Sequence, residues 1–164
     1  MRTRSRGQAL VEFAVIVPIF LAMLFGMVDL GRVVWANSSL ANAAREAARY
    51  AIVHGGSKAN ACPVGPPGPF AVIPVASAAC PYPSPSKQAI VDAALAFATA
   101  GGAPVVVTVC YGSGCSGDTD TASTNVRGTP VTVTVSSAVH LVTGSFLGLG
   151  NYGVSGSSTM LVNF

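Results

Sequence analysis

Few residues in this chain have types or spacings that suggest chemistry. One glutamate, Glu12, stands in an apolar run that continues through Val28 and meets no further charge until Asp29. A carboxylate at membrane depth is costly, so it marks a functional position and calls for a cationic or donor partner in the same layer. Four cysteines follow, Cys62, Cys80, Cys110 and Cys115. Cys110 and Cys115 form one C-x4-C pair, but Cys62 and Cys80 supply no matching C-x-x-C, so zinc is disfavoured. Two disulfides are expected, Cys62–Cys80 and Cys110–Cys115, each joining the nearest pair among three possible connectivities. The first would tie a Pro-rich loop for roughly 3 kcal/mol. Asp118-Thr119-Asp120 resembles the start of a calcium loop without its downstream glycine and glutamate. It reads as a solvated turn, with calcium left open. His54 and His140 stand alone, and no serine sits in a Gly-x-Ser-x-Gly elbow. The expectation is a protein with no catalytic residues, no cofactor and no metal.

These residues are set in a chain of 164 residues, of which 9% are charged and 51% hydrophobic. About a quarter charged is usual for a soluble domain. The net charge of +3 is carried by Arg2, Arg4 and Arg6; without them six basic and six acidic residues balance. A neutral body has no clustered cations for phosphate, so no nucleic-acid partner is expected.

The three arginines precede the apolar run. Residues 10–28 read as a helix spanning about 28 Å, enough for the hydrocarbon core of a bilayer. The positive-inside rule places the N-terminus in the cytoplasm and the rest outside, where four cysteines agree with an oxidising compartment. Three readings of this end compete. A cleaved secretory signal has Val34-Trp35-Ala36 as a site, but Asp29 and Arg32 separate it from the apolar run. A plain signal anchor leaves Glu12 without a reason. Cleavage between Gly7 and Gln8 makes Glu12 the fifth residue of the mature chain.

The run Gly7-Gln8-Ala9-Leu10-Val11-Glu12-Phe13, behind a basic leader and directly before an apolar helix, resembles the processing site of the type IV pilin superfamily. It is most similar to TadE-like proteins of the tight adherence (Tad) pilus, whose helix also resembles Gly26-Met27-Val28-Asp29-Leu30-Gly31-Arg32. The resemblance is strongest over residues 6–54. It implies cleavage after Gly7 by a prepilin peptidase, with Gly7 and Gln8 as the processing residues. Glu12 and Phe13 become the assembly and recognition residues. It further implies that Glu12 meets the freed Gln8 amine of a neighbouring subunit. Pairing of Glu12 with its own Gln8 amine, four residues back, remains open.

The elements that position these residues follow from periodicity. Leu40, Ala43, Ala44, Ala47, Ala48, Ala51 and Ile52 form one helical stripe, so the membrane helix is expected to continue to residue 54, with Pro18 as a kink. Gly55-Gly56 ends it. Residues 55–86 form a Pro/Gly-rich loop holding Cys62 and Cys80. Ser84-Pro85 reads as the start of a second helix with Ile90, Ala93, Ala94 and Phe97 on its apolar face, and Gly101-Gly102 as its stop. Strands are expected over 105–111, 131–135 and 154–162, with a polar loop over 112–128 and a Gly-rich turn near 148–150.

The expected fold is α+β. A basic leader (1–7) precedes a membrane-spanning and extended helix (8–54), the disulfide loop (55–86) and a head (87–164) with a small antiparallel sheet. The expected function is a minor pilin or pseudopilin subunit for Tad pilus assembly, not an enzyme. Its expected partners are other pilins and pilus assembly proteins, the peptidase and membrane lipid. It would reside in the cytoplasmic membrane with the head outside and, once assembled, in the extracellular pilus. The alternative is a membrane-anchored binding or adhesion module that never enters a pilus.

Overall fold

The computed structural model describes residues 5–54, 64–68, 80–83, 86–98, 103–148 and 150–163. One helix dominates: α1, Ser5–Val53, runs without a break through Pro18. A proline there removes one backbone hydrogen bond, yet it does not end the helix. Helix α2 (Gln88–Phe97), strand β1 (Val106–Tyr111), strand β2 (Pro130–Val139), helix α3 (Val142–Leu147) and strand β3 (Tyr152–Leu161) complete the head. The strands form an antiparallel meander in the order β1-β2-β3, giving the expected α+β fold.

α1 is two helices in function. Its lower part exposes Leu10, Phe13, Ile16, Ile19, Phe20 and Met23. Its upper part buries Ala36, Leu40, Ala43, Ala44, Ala47, Ala48 and Ala51 against the head. The alanine stripe lets the sheet approach closely. A Cβ added at Gly156 of β3 would lie 2.5 Å from the Ala41 nitrogen and 2.7 Å from the Leu40 carbonyl carbon. β3 runs alongside α1 in the same direction: Tyr152 and Val154 lie beside Val33 and Asn37, and the Asn163 N–H donates to the Ile52 carbonyl at 3.3 Å.

β2 alternates strictly, with Val131, Val133, Val135 and Val139 turned into the core. Ser137 also faces inward, and its hydroxyl donates to the Pro104 carbonyl at 3.1 Å. Tyr111 is the largest fully buried side chain. Its hydroxyl donates to the Val64 carbonyl at 3.1 Å, and the Asn125 amide donates to the same oxygen at 2.8 Å. Gly65 fits only because it lacks a side chain, since a Cβ there would fall 2.3 Å from the Tyr111 ring.

Three expectations need correction. α2 begins at Gln88; Ser84 and Pro85 lie outside the described residues, and Lys87 occupies the N-cap without a side-chain cap. The Ser86 hydroxyl accepts from the Gln88 N–H at 3.2 Å instead. Phe97 is exposed, because α2 presents Ala89, Ile90 and Ala94 to the core. Between β2 and β3 the chain makes a helix, α3, where only a turn was expected; Gly148, in the left-handed conformation, closes it. Gly55-Gly56, Cys62 and Gly101-Gly102 lie outside the described residues.

Candidate functional site

The lower half of α1 is the candidate site. Gly7, Gln8, Glu12 and Phe13 are all exposed on one unbroken helix. Helical spacing sets Gln8 and Glu12 one above the other, and the Gln8 side-chain amide donates to Glu12 Oε1 at 3.3 Å. Gly7 has open space around it: an added Cβ would meet nothing within 4 Å. The fold therefore does not require glycine at position 7, so any such requirement comes from outside the chain. The helix Gly7–Val53 is long and apolar enough to cross a membrane, and its most apolar window is wholly unburied by the head. A bare apolar rod with one carboxylate near its start can do two things chemically. It can partition into lipid, and it can pair that carboxylate with a donor at the same depth.

A residue that sequence reasoning did not single out lies at the top of the apolar run. Asp29 is buried, at 4% exposure. Its carboxylate accepts from the Val142 N–H at 2.9 Å, the Thr143 N–H at 2.8 Å and the Thr143 hydroxyl at 2.6 Å. It thereby caps the N-terminus of α3, whose own N-cap residue, Leu141, offers no side-chain oxygen. Carboxylates favour that end of a helix, where N–H groups lack intrahelical partners. The Thr143 hydroxyl, then the Val142 and Thr143 amides, hold the Asp29 carboxyl below its usual range, with help from Arg32 and against burial. A lowered carboxyl pKa stabilises the fold above the ordinary carboxylate range and stops doing so as pH falls through the lowered value. Asp29→Ala is expected to speed hydrogen exchange at the Val142 and Thr143 amides. Unchanged exchange there would show that the cap does not hold α3.

The head's polar cluster turns out to be structural. Lys87 Nζ lies 2.9 Å from Asp120 Oδ1 and 3.2 Å from Asp118 Oδ1, and donates to the Val109 carbonyl at 2.6 Å. Asp118 accepts from the Val109 N–H at 3.0 Å, and Asp120 from the Tyr111 N–H at 2.9 Å. Thr121 and Ala122 donate their N–H groups to the Tyr111 carbonyl. The outer edge of β1 from Val109 to Tyr111 is thus closed by its own following loop, which shortens the template for stray strand pairing. The Asp-Thr-Asp sequence is a β-edge cap whose cation is an ammonium. Lys87→Met should cost about 1–3 kcal/mol by leaving the Val109 carbonyl without its donor and the two carboxylates without their cation. An unfolding midpoint equal to wild type would refute that role.

Cys110 and Cys115 are joined by a disulfide that anchors this loop to β1. Cys80 is disulfide-bonded as well, and Cys62 lies outside the described residues. Among the described residues no group of three potential metal ligands comes together. His54 stacks on Tyr50 with ring centroids 4.1 Å apart, and its Nδ1 lies 2.7 Å from the Tyr50 carbonyl, so it packs the end of α1. His140 is exposed and far from His54 in the sequence.

With this geometry in place, comparison with known proteins is specific to the helix. A family model described as TadE-like protein matches residues 7–49, which holds the whole candidate site and most of the packed stripe. No curated protein and no solved structure matches the chain.

Proposed function

We infer that this chain, TadE-like along its membrane helix, is a pilin-like structural protein that enters Tad pilus assembly as a minor pilin or pseudopilin. The family is a structural one without enzymatic activity, and it suggests association with other pilus components. The observation that carries the reading is the division of α1. A bare apolar segment holding Gly7, Gln8 and Glu12 is continuous with an alanine seam that carries the head.

That division supports a finer mechanism, which the family resemblance supplies. A prepilin peptidase cuts between Gly7 and Gln8, reaching a glycine backbone that none of the described residues covers. The freed Gln8 amine adds a cation at the depth of Glu12. Within one chain the Gln8 side chain already reaches Glu12. In this reading the amine meets the carboxylate of a neighbour when helices leave the bilayer and bundle. The head stays on the outer side, presented by the rigid upper half of α1.

Gly7→Val tests the processing step. The variant is expected to accumulate as a precursor heavier than the wild-type protein by the seven-residue leader, and to fail in pilus assembly. Normal maturation of Gly7→Val would remove the peptidase from the account.

A further inference from the structure

The base of the head, where α1 leaves the apolar run, carries residues suited to a lipid surface. Asp29 directly follows the last residue of that run, and its carboxylate grips the first two amides of α3. At about 1.5 Å of rise per residue, α3 is therefore held at the edge of the hydrocarbon layer. Its sequence, Val-Thr-Gly-Ser-Phe-Leu, contains no charge, and Val142 is 48% exposed. On the same part of α1 Leu30 and Trp35 are 65% and 55% exposed, and Tyr152 at the start of β3 is 55% exposed. Tyr152 lies beside Val34 and Asn37 in a shallow open cleft, at the height of Trp35. Trp and Tyr favour the headgroup level, where one part of the ring is dry and the other wet.

The charges agree with this placement. Arg32 sits one turn above the run, within reach of lipid phosphates through its long stem. Asp29, its acidic neighbour, has both oxygens turned inward to α3 rather than toward those phosphates.

We propose that the head rests on the outer leaflet through this base: α3 lies at the boundary of headgroups and acyl chains, with Asp29 as the clamp that sets its height. It is a second membrane contact, separate from the spanning helix, and it rests on the reading of residues 10–28 as a membrane span. Drawing α1 out of the bilayer would then lift α3 off the surface as well, so extraction has to break both contacts.

The test uses the full chain in vesicles of phosphatidylcholine and phosphatidylglycerol brominated either near the glycerol or deep in the acyl chain. Trp35 is the chain's one tryptophan, so Trp35→Phe gives a silent background. Reporters are added singly as Val142→Trp, Gly150→Trp, Leu161→Trp and Phe20→Trp. Gly150 guards against misfolding, because a Cβ there meets nothing within 4 Å. Shallow bromines are expected to quench most of the emission at positions 142 and 150 and none at 161, at the far end of β3. Deep bromines should quench position 20. Unquenched emission at both 142 and 150, with position 20 quenched, overturns the proposal and leaves the span intact. Unquenched emission at position 20 overturns the membrane reading itself. Blue-shifted emission at 142 that ignores bromine but varies with protein concentration assigns this face to a protein partner, which also overturns the proposal.

Discussion

Glu12→Ala is expected to leave a stable, correctly oriented membrane protein and to abolish its contribution to piliation. The carboxylate is exposed on α1 well below the head, and its one described hydrogen bond comes from Gln8 in the same chain. No contact with the described residues of the head is lost with it. A charged side chain in the apolar layer costs about 3 kcal/mol by insertion scales when placed at the centre of a span. Its removal should therefore ease insertion rather than hinder it. What disappears is the group that fixes one helix against its neighbour. Glu12→Gln should be intermediate, keeping shape and hydrogen bonding without charge. Piliation and membrane abundance, measured in the same cells, read the two effects apart. Normal pili with either variant would end the assembly role of Glu12 and return the chain to the class of anchored modules.

The largest effect on the head is expected at Gly156. A Cβ there would fall 2.6 Å from the Ala41 Cα and closer still to its nitrogen, both backbone atoms of a helix that cannot yield locally. Overpacking a core costs about 1–3 kcal/mol when side chains can rearrange, and here only movement of the whole strand relieves the clash. Gly156→Val should separate β3 from α1 and expose the alanine seam. The expected readout is a lower unfolding midpoint and rapid proteolysis of the head, with the membrane helix still inserted. Gly156→Ala should lie between wild type and valine. A valine variant as stable as wild type would mean that β3 does not press on α1 as described.

Much of this architecture is legible in the sequence because the signals are local. Leu40 to Ala51 repeats at helical spacing, and every stripe residue from Leu40 to Ala51 is buried. Val131 to Val135 alternates at strand spacing and lies in β2. The same locality explains the misses. β2 runs on to Val139, but Ser136-Ser137 conceals the alternation, because the inward serine is satisfied by a carbonyl far along the chain. α3 has a glycine, β-branched residues and no local cap, so nothing nearby marks a helix; its cap comes from Asp29. Asp29 itself reads as the charge that ends an apolar run. Lys87 also lies far in sequence from the aspartates, 31 residues before Asp118, and Asp118-Thr119-Asp120 looks like a cation loop until the ammonium is seen between its carboxylates. For the processing end, local pattern is all there is. Gly7 and Glu12 make no contact with the described residues of the head, so the motif and its family likeness carry the reading.

The most direct measurement of the central claim is the N-terminal sequence of the protein extracted from membranes and from sheared surface material. The mature chain is expected to begin at Gln8 in both fractions, with the whole apolar helix retained. A mature N-terminus near Asn37 would contradict it, because the helix would then be a discarded signal. An uncut chain confined to the membrane fraction would contradict it as well, leaving an anchored domain that takes no part in a pilus.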